Sequence, residues 1–483
     1  MPPHPPHIVL ITLDQWRYDA AGFAGYPISA RLRTPHLDGL AGRGVVFDAA
    51  YTSTPVCVPA RASLISGRFG HEYGWRPGPE WIGPDRPTIP RLLNAAGYRT
   101  VACGKMHFQP LRQRYGFQEL VLCEHGRPED YERDDYHPWL REQGHEDRFE
   151  LWQFPANYHL ASAAFQANLQ ALPSPLPERV YSTTWIADRA VELIERHDPR
   201  RPLFLWLSFL KPHHPFDPPV PWDTCYDPDA LPLPERSPGD VERLPEPARA
   251  ALASRIFHRV FDGSVLDGNG GDALLRRLRA YYFATVSHVD HHLGRVLDAL
   301  ERRGMAADTA YFVTSDHGDF LGERGQVFKD HRGTLLYEDL VRVPLCFTPA
   351  PSQTNAEPVH QGTRWAEPVQ HVDILPTVAE VAGVRTPGGL PGRSLLGHLR
   401  GDVPPAERWA LSEAAGGRSA AIRLGRFKYI HDPRDPLQQV YDLVADPGER
   451  HNLAGDPAHQ EVEEQLRRAL AERWAPHTAS PAP

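Results

Sequence analysis

The chain has 483 residues, of which 41% are hydrophobic and 23% are charged, proportions that are ordinary for a globular protein and far from those of disordered or membrane-embedded chains. This length exceeds the size at which a single hydrophobic core keeps growing, so we expect one large domain and a smaller one. The net charge of −9 comes from 52 basic and 61 acidic residues spread along the chain, which argues against a nucleic-acid-binding protein.

The amino-terminal segment carries no pattern typical of targeting. Residues 1–7 form no basic n-region, since they contain no Lys or Arg, and the apolar run 8–13 is too short for a signal peptide or a membrane span. The cysteines are odd in number and form no CxxC pair, which argues against a disulfide framework or a structural zinc site. We therefore expect a cytoplasmic protein with reduced thiols and no membrane partner.

Several strand-like apolar runs end directly in polar residues. Such runs are typical of strands buried on both faces of a parallel sheet, and α/β enzymes place their chemistry just past the ends of these strands. The sequence therefore predicts that one sheet edge collects polar side chains from four strands. The runs are 8–13 before Asp14-Gln15, 98–103 before Gly104-Lys105, 203–210 before Lys211-Pro212-His213, and 309–314 before Ser315-Asp316-His317-Gly318.

Helical patterns alternate with these strands, at 62–66, 89–96, 183–197 and 274–303. This alternation predicts a three-layer α/β/α sandwich. Two stretches, 124–157 and 216–247, break the alternation and are interpreted as long surface excursions that could wall a substrate pocket.

The pattern changes near residue 406. Short strand-like runs at 419–424, 427–430 and 439–443 are followed by a helical pattern at 458–474, which predicts a small antiparallel sheet with a helix packed on it. We therefore expect a catalytic domain over residues 1–405 and a small carboxy-terminal subdomain over residues 406–483.

The segment Cys57-Val58-Pro59-Ala60-Arg61 precedes one of the helical patterns. A cysteine at the start of a helix lies in the positive end of the helix dipole, and Arg61 can hold an anion beside it. The segment thus suits an anion-directed nucleophile. The alternative interpretation is a buried cysteine that only contributes packing.

This segment, followed by Ser63-Leu64 and Ser66-Gly67-Arg68, resembles the signature of the formylglycine-dependent, or type I, sulfatases of the alkaline phosphatase superfamily. The resemblance implies an alkaline phosphatase-like sandwich with a large, mostly parallel mixed sheet and a smaller α+β domain with a four-stranded antiparallel sheet. Further segments similar to that family follow in order along nearly the whole chain, at 12–17 with Asp19, 34–38, 104–107, 211–213, 314–319, 321–325 with Lys329, 372–377, and 440–449 with Asn452-Leu453.

The resemblance implies that a maturation enzyme oxidises Cys57 to formylglycine, whose aldehyde hydrates to a geminal diol. One hydroxyl would attack sulfur and displace the alcohol, and loss of the proton from the other hydroxyl would expel sulfate and restore the aldehyde. The metal-ligand positions that match the family are Asp14, Gln15, Cys57, Asp316 and His317. Oxygen donors with one imidazole suit a divalent cation, with Ca²⁺ favoured and Mn²⁺ or Mg²⁺ as alternatives.

The family's anion-pocket positions match Arg61, Lys105, His107, His213 and Lys329. The resemblance implies that Arg61 and Lys105 orient the diol and the sulfuryl oxygens, and that His107 accepts the second hydroxyl's proton. His213 and Lys329 would stabilise or protonate the leaving oxygen. His214, beside His213, is the alternative for that position.

The favoured function is a sulfatase that cleaves a small-molecule sulfate monoester, because Gly104-Lys105-Met106-His107 resembles the sulfatases. Gln15 and His317 differ from the Asp-Asp and Asp-Asn pairs of many sulfatases and resemble phosphonate monoester hydrolases and choline sulfatases. A phosphonate monoester hydrolase or phosphodiesterase with the same site is therefore the second hypothesis. The third is a non-catalytic anion-binding protein with an unmodified Cys57. The sequence also allows a homo-oligomer.

A histidine-rich cluster lies in the longest helical pattern. His288, Asp290, His291 and His292 resemble a metal site because residues 288, 291 and 292 share a helix face. The surrounding residues, however, have a regular helical apolar period. We therefore interpret this segment as a scaffold helix with a polar flank and assign it no function.

Overall fold

The computed structural model describes residues 5–73, 82, 83, 86–125, 131–152, 160–235, 239, 242, 246, 249, 250, 271–329, 335–354, 362–400, 408–414, 416–436 and 438–474. The strands are β1 His7–Leu13, β2 Val45–Phe47, β3 Ala50–Tyr51, β4 Arg99–Gly104, β5 Glu119–Leu122, β6 Leu203–Phe209, β7 Thr309–Ser315, β8 Arg342–Val343, β9 Leu345–Thr348, β10 Thr363–Trp365, β11 Val369–Gln370, β12 Trp409–Glu413, β13 Ala420–Leu424, β14 Phe427–His431 and β15 Gln439–Asp442. The α-helices are α1 Pro35–Gly42, α2 Cys57–Ser66, α3 Gly70–Tyr73, α4 Ile89–Ala95, α5 Tyr136–Glu142, α6 Arg148–Trp152, α7 Ala163–Ala167, α8 Ser182–Glu195, α9 Gly271–Arg302, α10 Glu338–Val341, α11 Pro351–Thr354, α12 Ile374–Val381, α13 Leu396–Arg400 and α14 Gln460–Arg473.

The main sheet has eight strands in the order β10-β2-β9-β7-β1-β6-β4-β5. The five strands from β7 to β5 run parallel, whereas β9 is antiparallel to both of its neighbours. All seven residues of β1 are buried, as expected for a central strand with β6 on one side and β7 on the other. The predicted mostly parallel mixed sheet is confirmed.

Alternate residues of β1 face two separate cores. Val9 and Ile11 pack into a cluster with residues of α8 and α9 such as Ile186. Ile8 and Leu10 belong to the opposite cluster, together with residues of α2, α4 and α12. Because successive side chains of a strand point to opposite faces, this division confirms the predicted three-layer sandwich.

Helix α2 begins at Cys57, earlier than the predicted helical pattern at 62–66. The helix ends at Ser66 because Gly67 takes a left-handed conformation, with φ of 65°, and its N–H bonds the carbonyl oxygen of Ser63. Cys57 therefore lies in the first turn, where the unpaired backbone N–H groups make the local potential positive.

The carboxy-terminal sheet has four antiparallel strands in the order β12-β13-β14-β15. Ala421 and Ile430 pack on one face against residues that include Tyr337, while Ile422 and Tyr429 pack on the other face against α14. This confirms the predicted antiparallel sheet and helix. The boundary that we propose between residues 405 and 406 lies outside the described residues. Across the described residues, no helix is both long and apolar enough to span a membrane.

Lys428 on β14 joins this sheet to the main body through a buried ion-pair network. Its Nζ lies 3.0 Å from Oε1 of Glu338 and 2.7 Å from Oε1 of Glu449. We expect Lys428→Ala to lower the free energy of unfolding by about 3–5 kcal/mol, because two buried carboxylates lose their counter-charge. Denaturant unfolding followed by fluorescence measures this loss.

The matched control is Arg426→Ala, which removes the exposed ion pair between Arg426 and Asp442 near the same strand. Exposed pairs contribute about 0–1 kcal/mol, so the control should unfold almost as the wild type does. Equal losses in Lys428→Ala and Arg426→Ala would contradict a buried network that joins the two parts of the chain.

Candidate active site

Four strand ends meet at one edge of the main sheet. Strands β1 and β7 are paired in register, with Leu13 opposite Ser315, so the residues that follow them are neighbours in space. The backbone N–H of Gln15 donates to Oδ1 of Asp316 at 3.0 Å, although 301 positions separate the two residues in the chain. The predicted convergence of polar residues at this edge is therefore present.

Four buried side chains at this edge can each direct one ligand atom toward a common point. The atoms belong to Asp14, Cys57, Asp316 and His317, and all lie within 4.8 Å of one another. Two carboxylates and an imidazole suit a divalent cation. The donor set therefore fits the metal ion that the resemblance implies.

Gln15 is held so that its amide oxygen is available at the same point. Its Nε2 donates to Oδ2 of Asp319 at 2.7 Å, whereas its Oε1 is buried without a hydrogen-bond partner among the described residues. A buried carbonyl oxygen without a partner is costly. A cation bound beside Asp14 and Asp316 would supply that partner, which supports Gln15 as a ligand.

Arg61 contacts both carboxylates of this cluster. Its Nε donates to Oδ2 of Asp316 at 3.0 Å, and its Nη2 lies 3.4 Å from Oδ2 of Asp14. Its Nη1 donates to Oγ of Ser208 at 2.8 Å and to the carbonyl oxygen of Lys105 at 2.6 Å. Arg61 is thereby fixed in place by strands that also carry the predicted site residues.

Two lysines bring positive charge to the cysteine. Lys105 forms a buried ion pair with Asp14, and Nζ of Lys329 donates to Sγ of Cys57 at 2.7 Å. Lys105 can reach the site because Gly104 before it has φ of 101°, and a side chain at Gly104 would overlap the carbonyl oxygen of Ser208.

The lysines set the charge state of the cluster. Burial and the carboxylate of Asp14 raise the pKa of the Cys57 thiol, but Lys329 and Lys105 outweigh them and hold that pKa well below its usual range. Burial likewise raises the pKa of Asp14, yet Lys105 and Arg61 bring it well below the ordinary value. The edge is therefore an anion site.

Histidines line the side of the site next to Lys105. The ring of His213 lies 4.1 Å from that of His125, and the rings of His125 and His107 are 5.9 Å apart. Burial, followed by the neighbouring His125 and His214, holds the pKa of His213 well below its usual range. The ring of His214 stacks on that of His213, with centroids 4.2 Å apart, and its Nδ1 is 3.2 Å from Nε2 of Gln15. Both histidines of the pair therefore border the cluster.

Glu124 is a functional candidate that the sequence analysis assigned to a surface excursion. That part of the prediction is wrong, because Glu124 is only 1% exposed. Its Oε1 accepts the backbone N–H of Met106 at 3.0 Å, and its Oε2 accepts that of His107 at 3.1 Å. Since His107 has φ of 56°, a conformation uncommon for a residue with a side chain, these bonds help to hold its backbone.

Other neighbours of the site were also missed. Ser208, near the end of β6, accepts a hydrogen bond from Arg61. Asp319 orients Gln15, and Nδ1 of His125 is within hydrogen-bond distance of Oε1 of Glu150. Glu124 and His125 come soon after β5. The rule that polar residues follow strands would have found them, had the short run Glu119–Leu122 been recognised as a strand.

Removal of the Glu124 carboxylate should loosen His107. We expect Glu124→Ala to lower kcat of the mature enzyme by about 10–100-fold, the usual cost of removing a supporting partner at such a site. Glu124→Gln should lose less, because its amide oxygen still accepts one backbone N–H. Steady-state kinetics of the wild type, Glu124→Gln and Glu124→Ala measure whether kcat falls in that order. A kcat of Glu124→Ala equal to that of the wild type would contradict a positioning role for Glu124.

Comparison with known proteins agrees with this geometry. Residues 6–384 match the profile of the family described as Sulfatase, and residues 322–475 match the profile described as N-sulphoglucosamine sulphohydrolase, C-terminal. The chain is similar to an arylsulfatase of Clostridium perfringens (strain 13 / Type A), with 29% identity over 485 residues that cover 96% of this chain and 93% of that protein. It is 31% identical to a choline-sulfatase of Rhizobium meliloti (strain 1021) over 465 residues, which cover 94% of this chain and 83% of that protein.

The fold is also found among solved structures. A phosphonate monoester hydrolase from Silicibacter pomeroyi superposes with a TM-score of 0.78 and 24% identity, covering 98% of this chain and 97% of that one. At this identity the likeness shows the shared fold. The family match over most of the chain, together with a relative that is 31% identical along nearly all of it, shows that this chain belongs to the sulfatase family.

Proposed function

We propose that this protein hydrolyses sulfate monoesters of small molecules and that formylglycine made from Cys57 is the nucleophile. The observation that carries the proposal is the position of Cys57. Its Sγ lies 3.2 Å from Nε2 of His317 and 2.7 Å from Nζ of Lys329, inside the cluster that fits a metal ion. A packing cysteine would have apolar neighbours instead.

A bound divalent cation would lower the pKa of a diol hydroxyl and neutralise sulfuryl oxygens, and Asp14, Gln15, Asp316 and His317 would hold it. We favour Ca²⁺ for this role because four of the five proposed donors are hard oxygen atoms, from Asp14, Gln15, Asp316 and the formylglycine at position 57. The formylglycine hydrate would supply two hydroxyls on one carbon, one for attack and one for release.

The remaining cations are placed to bind the anionic group. Lys105 pairs with Asp14 and Lys329 contacts His317, and both Asp14 and His317 lie beside position 57. A sulfuryl group bound at position 57 would therefore meet two positive charges. Arg61 holds the carboxylate of Asp316 through Nε. Its Nη2 is buried without a hydrogen-bond partner among the described residues, so Arg61 would also help to orient the diol and the sulfuryl oxygens.

His107 and His213 are the proposed proton-transfer residues. Burial and the nearby charge of Lys105 lower the pKa of His107, so its ring is neutral at pH 7 and can accept the second hydroxyl's proton. His213 and Lys329 would stabilise or protonate the leaving oxygen.

The maturation of Cys57 requires a formylglycine-generating enzyme as a partner. The cysteines that the structure describes are all free thiols, which supports a reducing compartment, and we propose the cytoplasm. Mass spectrometry of the tryptic peptide that contains Cys57 tests the proposal directly. Formylglycine or its hydrate is expected, and a peptide with only an unmodified thiol in active protein would overturn it.

A second candidate function is hydrolysis of phosphonate monoesters or phosphodiesters. Gln15 and His317 favour it, because they match the pairs found in phosphonate monoester hydrolases. We expect kcat/KM for an aryl sulfate to exceed that for a phenyl phosphonate monoester and for an aryl phosphodiester by at least about tenfold, or 1.4 kcal/mol. A tenfold preference for either phosphorus ester would instead favour hydrolysis of phosphonate monoesters or phosphodiesters over hydrolysis of sulfate esters.

A further inference from the structure

A second group of ligand-bearing side chains lies outside the active site, on helix α9. His288 and His292 are one helical turn apart, and their Nε2 atoms are 3.0 Å from each other. Oε1 of Glu178 lies 3.3 Å from Nε2 of His288 and 3.6 Å from Nε2 of His292. The other members of the sequence cluster point elsewhere: Asp290 accepts backbone N–H groups at the start of α1, and His291 is exposed.

The three ligand atoms converge although one of them has another partner. Nε2 of His292 can form a hydrogen bond with Oγ1 of Thr184 at 3.1 Å. The Nε2 atoms of both histidines nevertheless face each other and the same carboxylate oxygen, and Nδ1 of His288 is buried without a partner among the described residues. The three atoms therefore point toward one place that a bound ion could occupy.

We propose that Glu178, His288 and His292 bind a transition-metal ion of the Zn²⁺ class at a site separate from the active site. An ion with tetrahedral bonds of about 2.0–2.1 Å places its ligand atoms about 3.3–3.4 Å apart. The observed separations of 3.0, 3.3 and 3.6 Å match this triangle. Two imidazoles and one carboxylate favour Zn²⁺ over Ca²⁺, which prefers oxygen ligands.

The carboxylate of Glu178 is oriented by a neighbour and open to solvent. Trp222 orients Glu178 by donating Nε1–H to Oε1 at 2.9 Å, and the Glu178 side chain is 34% exposed, which provides a path from solvent.

Arg295 must change its contact when the ion binds. Its Nη1 donates to Nδ1 of His292 at 2.9 Å, whereas a His292 that binds through Nε2 carries its proton on Nδ1. The side chain of Arg295 is 41% exposed and also pairs with Asp188, so it can turn toward Asp188 and solvent. The ion would then join the turn Glu178–Val180, which precedes α8, to helix α9.

Zn²⁺ titration tests the site in protein that has been stripped of metal and then saturated with Ca²⁺. The proteins are the wild type, the double variant His288→Ala/His292→Ala, and the control His291→Ala on the same helix. We expect the wild type and His291→Ala to bind one more equivalent of Zn²⁺ than the double variant. Because the active site is intact in all three proteins, Zn²⁺ that enters it cannot produce this difference.

A second, single-residue variant keeps the test valid if the double variant does not fold. Glu178→Gln changes a partly exposed side chain, and we expect its Kd for Zn²⁺ to rise by more than about tenfold. Zn²⁺ should raise the Tm of the wild type and of His291→Ala more than that of Glu178→Gln. Equal stoichiometry in the double variant and His291→Ala, or equal Kd values in Glu178→Gln and the wild type, would overturn the proposal.

Discussion

Cys57→Ala is expected to lower kcat/KM for an aryl sulfate by about 10⁴-fold or more, because it removes the precursor of the nucleophile. The surrounding charges remain in place, so the variant should still bind sulfate esters as an anion site. Cys57→Ser should differ from it. A serine can attack once, but it lacks the second hydroxyl whose proton loss expels sulfate, so we expect release of about one equivalent of the phenol followed by little turnover.

The matched control is Cys346→Ala, which changes a buried cysteine on β9. Cys346 is paired with Val313 of β7, within the sheet and away from its catalytic edge. Its loss should cost only packing energy, about 1 kcal/mol, and leave kcat/KM close to the wild-type value. If Cys57→Ala kept more than a tenth of wild-type activity, position 57 would not be the source of the nucleophile.

Asp316→Asn should abolish both metal retention and activity. Oδ1 of Asp316 accepts the backbone N–H groups of Gln15 and His317, each at 3.0 Å, and Oδ2 accepts Nε of Arg61. An asparagine of the same shape has only one acceptor oxygen, so its NH₂ group must face another donor. We expect kcat/KM to fall by about 10³-fold or more, since the charge that would hold the cation is also lost.

Asp308→Asn provides the control at the opposite end of strand β7. Asp308 is exposed and directly precedes β7, whereas Asp316 follows it. Metal content after dialysis, measured by elemental analysis beside kcat/KM, should match the wild type in Asp308→Asn and fall in Asp316→Asn. A full metal complement in Asp316→Asn with kcat/KM within tenfold of the wild type would remove Asp316 from the ligand set.

The order of strands and helices could be read from the sequence because local patterns encode it. The run 8–13 is apolar throughout, which is typical of a central strand, and β1 indeed lies between β6 and β7. The polar residues after such runs, among them Asp14 and Asp316, meet at one edge because parallel strands share the direction of their carboxyl ends. The resemblance of the motifs to the sulfatase family pointed to the same edge.

Local patterns do not encode contacts between distant segments. Glu124 belonged to a stretch that is rich in polar residues and was therefore interpreted as surface, yet the fold buries its carboxylate under the backbone of His107. Likewise, the sequence showed that His288 and His292 share a helix face, but the position of Glu178 beside them depends on how the turn before α8 packs against α9.

The sequence by itself thus determined the alternating architecture and the residues at the strand ends, because hydrophobic periodicity and chain direction are local properties. Only the tertiary structure decided which partners those residues have. It paired Lys329 with Cys57 across 272 positions and oriented the Gln15 amide through Asp319. Such pairings depend on the packing of separate elements, and a single sequence records no distance between them.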